Sequence, residues 1–278
     1  MRKCKTLSLC CVVLFFAVII AGSAGTMRAA AEFLPRTYST TFVLAHGAWH
    51  GAWCWDKLVP ILRAGGAKVV TVDYPGHGED HSTLAYQNTA TYVAKVIEAI
   101  DREPGKVILV GHSMGGSIIS NVAENRPQKV QSLVYLAAAL LKDGQNFNDV
   151  NAAPVDLYSN EGFTILAEDR QSVTVKPSAV PMFYNGCSAE DIEFARAHLG
   201  GEAIAALAGR VHITDQNYGT VPRFYIKTLQ DLAIAPALQD KMLAAMPVRK
   251  VYSLHTGHSP FLSEPEELAS ILFAIAKQ

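Results

Sequence analysis

The sequence predicts an α/β protein: a mostly parallel sheet, helices on both faces, and a helical cap inserted into the chain. Three observations predict it. Short apolar, β-branched runs recur, with helical periodicity between them. One of these runs passes directly into a glycine-flanked serine turn that opens a helix. The alternation then stops for roughly 80 residues, too long a stretch for a plain loop, and resumes afterwards.

The expected strands are TFVLA at 41–45, KVVTV at 68–72, KVILV at 106–110, VQSLVYL at 130–136, RFYI at 223–226 and KVYSL at 250–254. Their apolar runs do not alternate with polar residues, which suits strands covered on both faces of a parallel sheet. Residues 53–64, 89–100, 114–124 and 264–276 repeat apolar positions three and four apart, as helices against such a sheet do. Strand–helix alternation implies right-handed βαβ units. Residues 32–140 and 221–278 are read as the core, and 141–220 as the cap. The cap segment holds Pro154, Pro177 and Pro181 and a helical piece at 189–199 (AEDIEFARAHL).

Half of the 278 residues are hydrophobic and 18% are charged, against ~25% charged in typical soluble domains. That balance excludes a disordered, solvating chain. A formal charge of −1, with no basic run beyond the first residues, excludes an electrostatic nucleic-acid binder. The N-terminus has basic Arg2, Lys3 and Lys5, then an apolar run at 7–20, then small residues ending at Ala31. This pattern reads as a signal peptide, 1–31, removed on export to the periplasm or the exterior; an uncleaved anchor is the other reading. Cleavage takes four of the 24 basic residues (Arg2, Lys3, Lys5, Arg28) and none of the 25 acidic ones, leaving a formal −5. No stable membrane contact is expected of the mature chain. Only Cys54 and Cys187 remain, and two thiols are expected rather than a disulfide. No zinc-type spacing of cysteine and histidine is present.

The motif Gly111-His112-Ser113-Met114-Gly115-Gly116 follows the 106–110 strand and opens a helix. It has the form of a nucleophile elbow, which presents a serine at the carboxyl edge of the sheet. A serine hydroxyl needs a base, and the chain order in this architecture is serine, acid, histidine. Of the four histidines after Ser113, His258 lies in the loop beyond the last strand and is the expected base. His255 is its nearest rival, while His198 and His212 fall in the cap. Asp231, just after the 223–226 strand, is the expected acid, with Asp143 as competitor. The oxyanion donors are expected at the backbone N–H groups of Met114 and of Ala48, the latter in the loop His46-Gly47-Ala48-Trp49-His50. His46 and His50 are expected to brace that loop, Trp49 to border the pocket, and Asp73 to cap backbone groups of the turn after the second strand.

Together HGAWHGAWCW, VDYPGHG, GHSMGG, YIKTLQD and the GHS loop resemble one α/β-hydrolase group. It contains plant methylesterases, hydroxynitrile lyases and bacterial esterases. The resemblance runs from Phe42 to the C-terminus and is weakest in the cap. It implies the α/β-hydrolase fold, the triad Ser113, Asp231 and His258, donors Ala48 and Met114, and neither metal nor organic cofactor. The lyases carry threonine and lysine where this chain has Gly47 and Ser259, which favours ester hydrolysis. The signal segment favours an exported bacterial esterase over the plant branch. The expected activity is that of a serine carboxylesterase acting on small to medium apolar esters, the substrate being its partner and a homodimer being allowed for. A lyase, or a ligand receptor on a hydrolase fold, are the other readings.

Overall fold

Among the described residues the strands are β1 Thr41–Ala45, β2 Lys68–Val72, β3 Val107–His112, β4 Val130–Leu136, β5 Thr164–Leu166, β6 Ser172–Val175, β7 Glu202–Ala203, β8 Arg223–Thr228 and β9 Lys250–Leu254. The helices are α1 Leu58–Ala64, α2 Thr89–Asp101, α3 Gly115–Asn125, α4 Phe147–Val150, α5 Val180–Phe183, α6 Ala189–His198, α7 Ile204–Leu207, α8 Pro236–Ala245, α9 Pro260–Ser263 and α10 Pro265–Ala276. The computed structural model describes residues 40–151, 156, 159 and 161–278. The expected signal peptide, 1–31, lies outside the described residues.

Six strands form one sheet in the order β2-β1-β3-β4-β8-β9, every neighbouring pair parallel. The period of two along a strand sends alternate side chains to two separate cores. Phe42, Leu44, Ile108, Val110, Val134 and Leu136 face one side, where Leu58, Leu62, Leu268 and Leu272 of α1 and α10 pack. Val43, Leu109, Leu133 and Tyr135 face the other, against Val93, Val96, Ile118 and Val122 of α2 and α3. Every residue of β3 is buried, so no polar side of this strand could face water. Asn88 starts α2 with a capping box: its side chain accepts from the N–H groups of Ala90 and Thr91, and the Thr91 hydroxyl accepts from the Asn88 N–H. Such a cap contributes about 1 kcal/mol.

The chain leaves β1 toward β2 on one side and returns to β3 on the other. The sheet order therefore reverses between β1 and β3, and a crevice opens at their carboxyl ends. The loop carrying Gly47 follows β1 there, and Ser113 follows β3.

Between β4 and β8 the chain leaves the main sheet. The expected helical cap is in fact mixed: α4 to α7 accompany a three-stranded antiparallel sheet, β5-β6-β7. Its strands have three, four and two residues, too few to show a period, and Ile165 of β5 points outward at 42% exposure. No hydrophobic pattern marks such strands in the sequence. Cys54 is buried and Cys187 half-buried, and they are not joined. Among the described residues no helix is long and apolar enough to cross a membrane.

Candidate active site

Ser113 sits on the turn from β3 to α3 in the left-handed region, at φ 53°. A non-glycine residue there costs roughly 1–2 kcal/mol. Backbone bonds hold it: the Ser113 N–H donates to Leu136 O (3.2 Å), and its carbonyl accepts from Gly116 N (3.1 Å) and Ala139 N (3.0 Å). The turn is tight because α3 begins against the end of β1. A Cβ on Gly115 would lie 2.7 Å from His46 O and 2.8 Å from Ala45 O.

Beyond β8 the chain carries Asp231, 2% exposed. All its acceptor positions are used. Oδ1 accepts from the N–H groups of Ala233 and Ile234, each at 2.8 Å, while Oδ2 accepts from Thr228 Oγ1 and His258 Nδ1, each at 2.8 Å. Gln239 of α8 binds the Thr228 backbone and hydroxyl and Ile234 O, so it fixes the carboxylate's loop. With Nδ1–H donating to Asp231, the neutral His258 ring keeps Nε2 as its acceptor. That nitrogen is buried and without a hydrogen-bond partner. His112, the residue before Ser113, donates from Nε2 to His258 O at 3.0 Å, and the two rings lie 4.5 Å apart. The histidine loop is thereby tied to the serine turn. No hydrogen bond joins Ser113 to His258; such catalytic bonds often tighten only with substrate bound.

The β1 loop is built to aim one amide. Gly47 O accepts from His46 Nδ1 (2.8 Å) and from His50 N (3.4 Å). The carbonyl and N–H of a trans peptide point in opposite directions, so fixing Gly47 O turns the Ala48 N–H the other way. Next along, His50 Nδ1 donates to Ala48 O (2.7 Å), and the Tyr184 hydroxyl of the cap donates to His50 Nε2 (2.8 Å). Among the described residues the N–H groups of Ala48 and Met114 donate to no protein acceptor. Met114 is the N-cap of α3, so the helix dipole reinforces its N–H.

Burial sets the charge of these histidines. It holds His46 and His112 well below the ordinary imidazole value and His50 at about 4, with neighbouring histidines adding to the effect. They are neutral braces, as the sequence led one to expect of His46 and His50. Asp73 likewise accepts from the N–H groups of Ala52 (2.6 Å) and Glu79 (3.3 Å).

Ala48, Trp49, Ser113 and Met114 border one cavity of about 440 Å³, closed on the cap side by Met182, Phe183 and Leu207. Trp49 packs edge-on to Phe163 at 5.8 Å and lies 5.6 Å from Phe183. Of the rival residues, His255, His198 and His212 are exposed, as is Asp143, whose carboxylate accepts from Ile213 N. The sequence reading missed Glu202, Thr228 and Gln239, and did not foresee the hydrogen bond of Tyr184 to His50. Glu202 and Tyr184 lie in the cap, where no motif is readable. Ser259, placed where the lyases have lysine, donates to Phe183 O at 2.9 Å and so seats the histidine loop against the cap. No group of three or more His, Cys, Asp or Glu among the described residues is arranged to hold a metal ion.

Known proteins resemble this chain in sequence and fold. Residues 42–271 match the model of the alpha/beta hydrolase family. The Arabidopsis thaliana chloroplastic protein that carries the name methylesterase 11 is 34% identical over 251 residues, covering 85% of this chain; the chain spans 64% of that relative's length. Polyneuridine aldehyde esterase superposes with a TM-score of 0.76 at 28% identity, over 85% of this chain and 99% of that one. A pyrethroid hydrolase from Sphingobium faniae JZ-2 gives 0.73 at 27% identity, over 86% and 97%. The six-stranded sheet, the strained serine after its third strand and a family match over most of the length agree: the chain belongs to the α/β-hydrolase family and has its fold.

Proposed function

We propose that the protein is a serine carboxylesterase that hydrolyses small to medium apolar esters through an acyl-enzyme. One observation carries the reading. Ser113, held at φ 53°, borders a largely apolar cavity together with two unpaired amides, while the ring of His258 is fixed by Asp231 with its second nitrogen unpartnered. The methylesterase, aldehyde esterase and pyrethroid hydrolase names of its relatives and neighbours support the same reaction class.

In this mechanism His258 Nε2 takes the proton of Ser113 as its oxygen attacks the ester carbonyl. Asp231 stabilises the resulting imidazolium and fixes its orientation. The carbonyl oxygen becomes an oxyanion that receives the Ala48 and Met114 N–H groups; one such donor is typically worth ~10²–10³ in rate. Collapse expels the alcohol, which takes its proton from His258. Water then attacks the acyl-enzyme, His258 accepts its proton and returns it to Ser113, and the acid leaves. The lining suits an apolar acyl or alcohol group. The basic start and apolar run of residues 1–31 support an exported enzyme.

A Cβ on Gly47 would lie 2.8 Å from Ser113 Cβ, so the threonine of the lyases has no room beside this serine. The test is hydrolysis of short-chain p-nitrophenyl esters, with mass spectrometry of the fluorophosphonate-treated protein. An adduct on Ser113 is expected. A folded protein that neither turns over esters nor takes the label ends this reading.

A further inference from the structure

Trp49 is the second left-handed non-glycine residue at this rim, at φ 65°, a conformation unusual for a bulky side chain. Three hydrogen bonds hold it, all from the chain between β4 and β8. Its N–H donates to Glu202 Oε2 (3.1 Å), its carbonyl accepts from Gly200 N (3.0 Å), and its indole Nε1 donates to Val173 O (3.1 Å).

Glu202 is fully buried, and four donors converge on it: the Trp49 N–H, His77 Nε2 (3.1 Å), the Tyr92 hydroxyl (2.7 Å) and the Ala203 N–H (2.9 Å). The Trp49 and Ala203 N–H groups supply one donor to each carboxylate oxygen, and the His77 ring and the Tyr92 hydroxyl complete the set. The other nitrogen of His77 faces Pro75 O at 3.4 Å, so both of its ring nitrogens have an oxygen beside them, which favours the protonated ring. Glu202 and Asp73 raise the proton affinity of His77 against the opposing effect of burial. His46, Tyr74 and Tyr92 also face that ring, at 5.2, 6.1 and 5.4 Å. A buried ion pair is weak evidence for stability but a means of fixing geometry.

The Ala48–Trp49 peptide is thus pinned at both polar ends, its carbonyl by His50 and its N–H by Glu202. The neighbouring peptide carries the Ala48 N–H. We propose that Glu202, paired with His77, is a positioning residue that holds the β1 loop so that the Ala48 N–H is preset for the oxyanion, making the donor dependent on the seat of the cap. This rests on the esterase reading above. Glu202 touches no reacting atom and acts through Trp49.

The experiment compares Glu202→Gln with wild type on p-nitrophenyl butyrate and by affinity for a trifluoromethyl ketone, whose serine adduct bears the same oxyanion. The glutamine keeps the volume but turns an NH₂ group toward two of the four donors. The expected result is a fall in kcat of about 10- to 100-fold with KM within about twofold, the pattern of an interaction made only in the transition state. The ketone should weaken by a similar factor. A folded variant with unchanged kcat, or one in which KM alone rises, overturns the proposal. Should Glu202→Gln not fold, Glu202→Asp is read in the same way: it keeps the charge but is one methylene too short to hold His77 and Trp49 together. Failure of both to fold assigns Glu202 to structure alone and also overturns it. Inactivity of the wild type would instead defeat the esterase reading, so the two failures are separable.

Discussion

His258 Nδ1 lies 2.8 Å from Asp231 Oδ2, and both side chains are buried. In the neutral ring the bond assigns the proton to Nδ1 and leaves Nε2 as an acceptor, the nitrogen that is the base in the proposed mechanism. Asp231→Asn separates this role from packing. The amide oxygen can keep the N–H groups of Ala233 and Ile234, but its NH₂ group then faces Nδ1 and favours the other tautomer. We expect kcat on p-nitrophenyl esters to fall by about 10⁴-fold, with a melting temperature close to wild type. Retention of more than a tenth of the activity would remove Asp231 from the mechanism.

Ser113 holds a conformation that costs stability in order to present its hydroxyl. Replacing it with glycine relieves the left-handed penalty, whereas alanine keeps it. Glycine gains roughly 1–2 kcal/mol on this account and loses roughly 0.4–1 kcal/mol to the entropy of the unfolded chain. Ser113→Gly should therefore melt about 1–4 °C above Ser113→Ala by calorimetry, and neither should take a fluorophosphonate. A Ser113→Gly variant that melts below Ser113→Ala would mean that the turn carries less strain than the entropic cost of the glycine.

The sheet was legible because burial on both faces writes an unbroken apolar run; β1, β2, β4 and β9 stand where those runs lie. Ser113, Asp231 and His258 were legible because each follows a strand at its carboxyl end, a position that chain order alone supplies. The cap was not. Its strands are short, and its contributions to the rim, Tyr184 and Glu202, act through single hydrogen bonds to the β1 loop. A single buried bond leaves no periodic trace. Gln239 was silent for the same reason: inside α8 it looks like any helical glutamine, and only the fold brings its amide to Thr228.

Gly47 leaves no space for a side chain beside the serine turn. Its absent Cβ would meet Ser113 Cβ at 2.8 Å and His112 Nδ1 at 2.9 Å, the first held by the backbone bonds of the serine turn and the second on a fully buried ring. Gly47→Thr should displace the Ala48 N–H, lower ester turnover by at least about 10²-fold and destabilise the fold by about 1–3 kcal/mol. No cyanide release from cyanohydrins should appear, since Ser259 remains where the lyases have lysine. Full ester turnover in this variant would show that the β1 loop is not the oxyanion donor.

The buried histidines give stability a sign with respect to pH. His46, His50 and His112 stay neutral in the fold, His50 down to about 4, while the unfolded chain takes up protons near 6.5. Where the unfolded state binds more protons, stability rises with pH. It should therefore fall as pH drops below 6.5, each histidine contributing up to about 1.4 kcal/mol per pH unit. His77 has the opposite sign: its raised affinity for a proton stabilises the fold fully below 6.5, and that contribution is lost as pH rises through its folded value. One such group offsets only part of three. Asp80, lowered to about 2, adds acid sensitivity only below its ordinary value of 3.8 and leaves this window to the histidines. Urea denaturation at pH 7.5 and 5.0 should give a lower unfolding free energy at 5.0, and His50→Gln should reduce the difference. Equal free energies at the two pH values would show that the fold admits these protons.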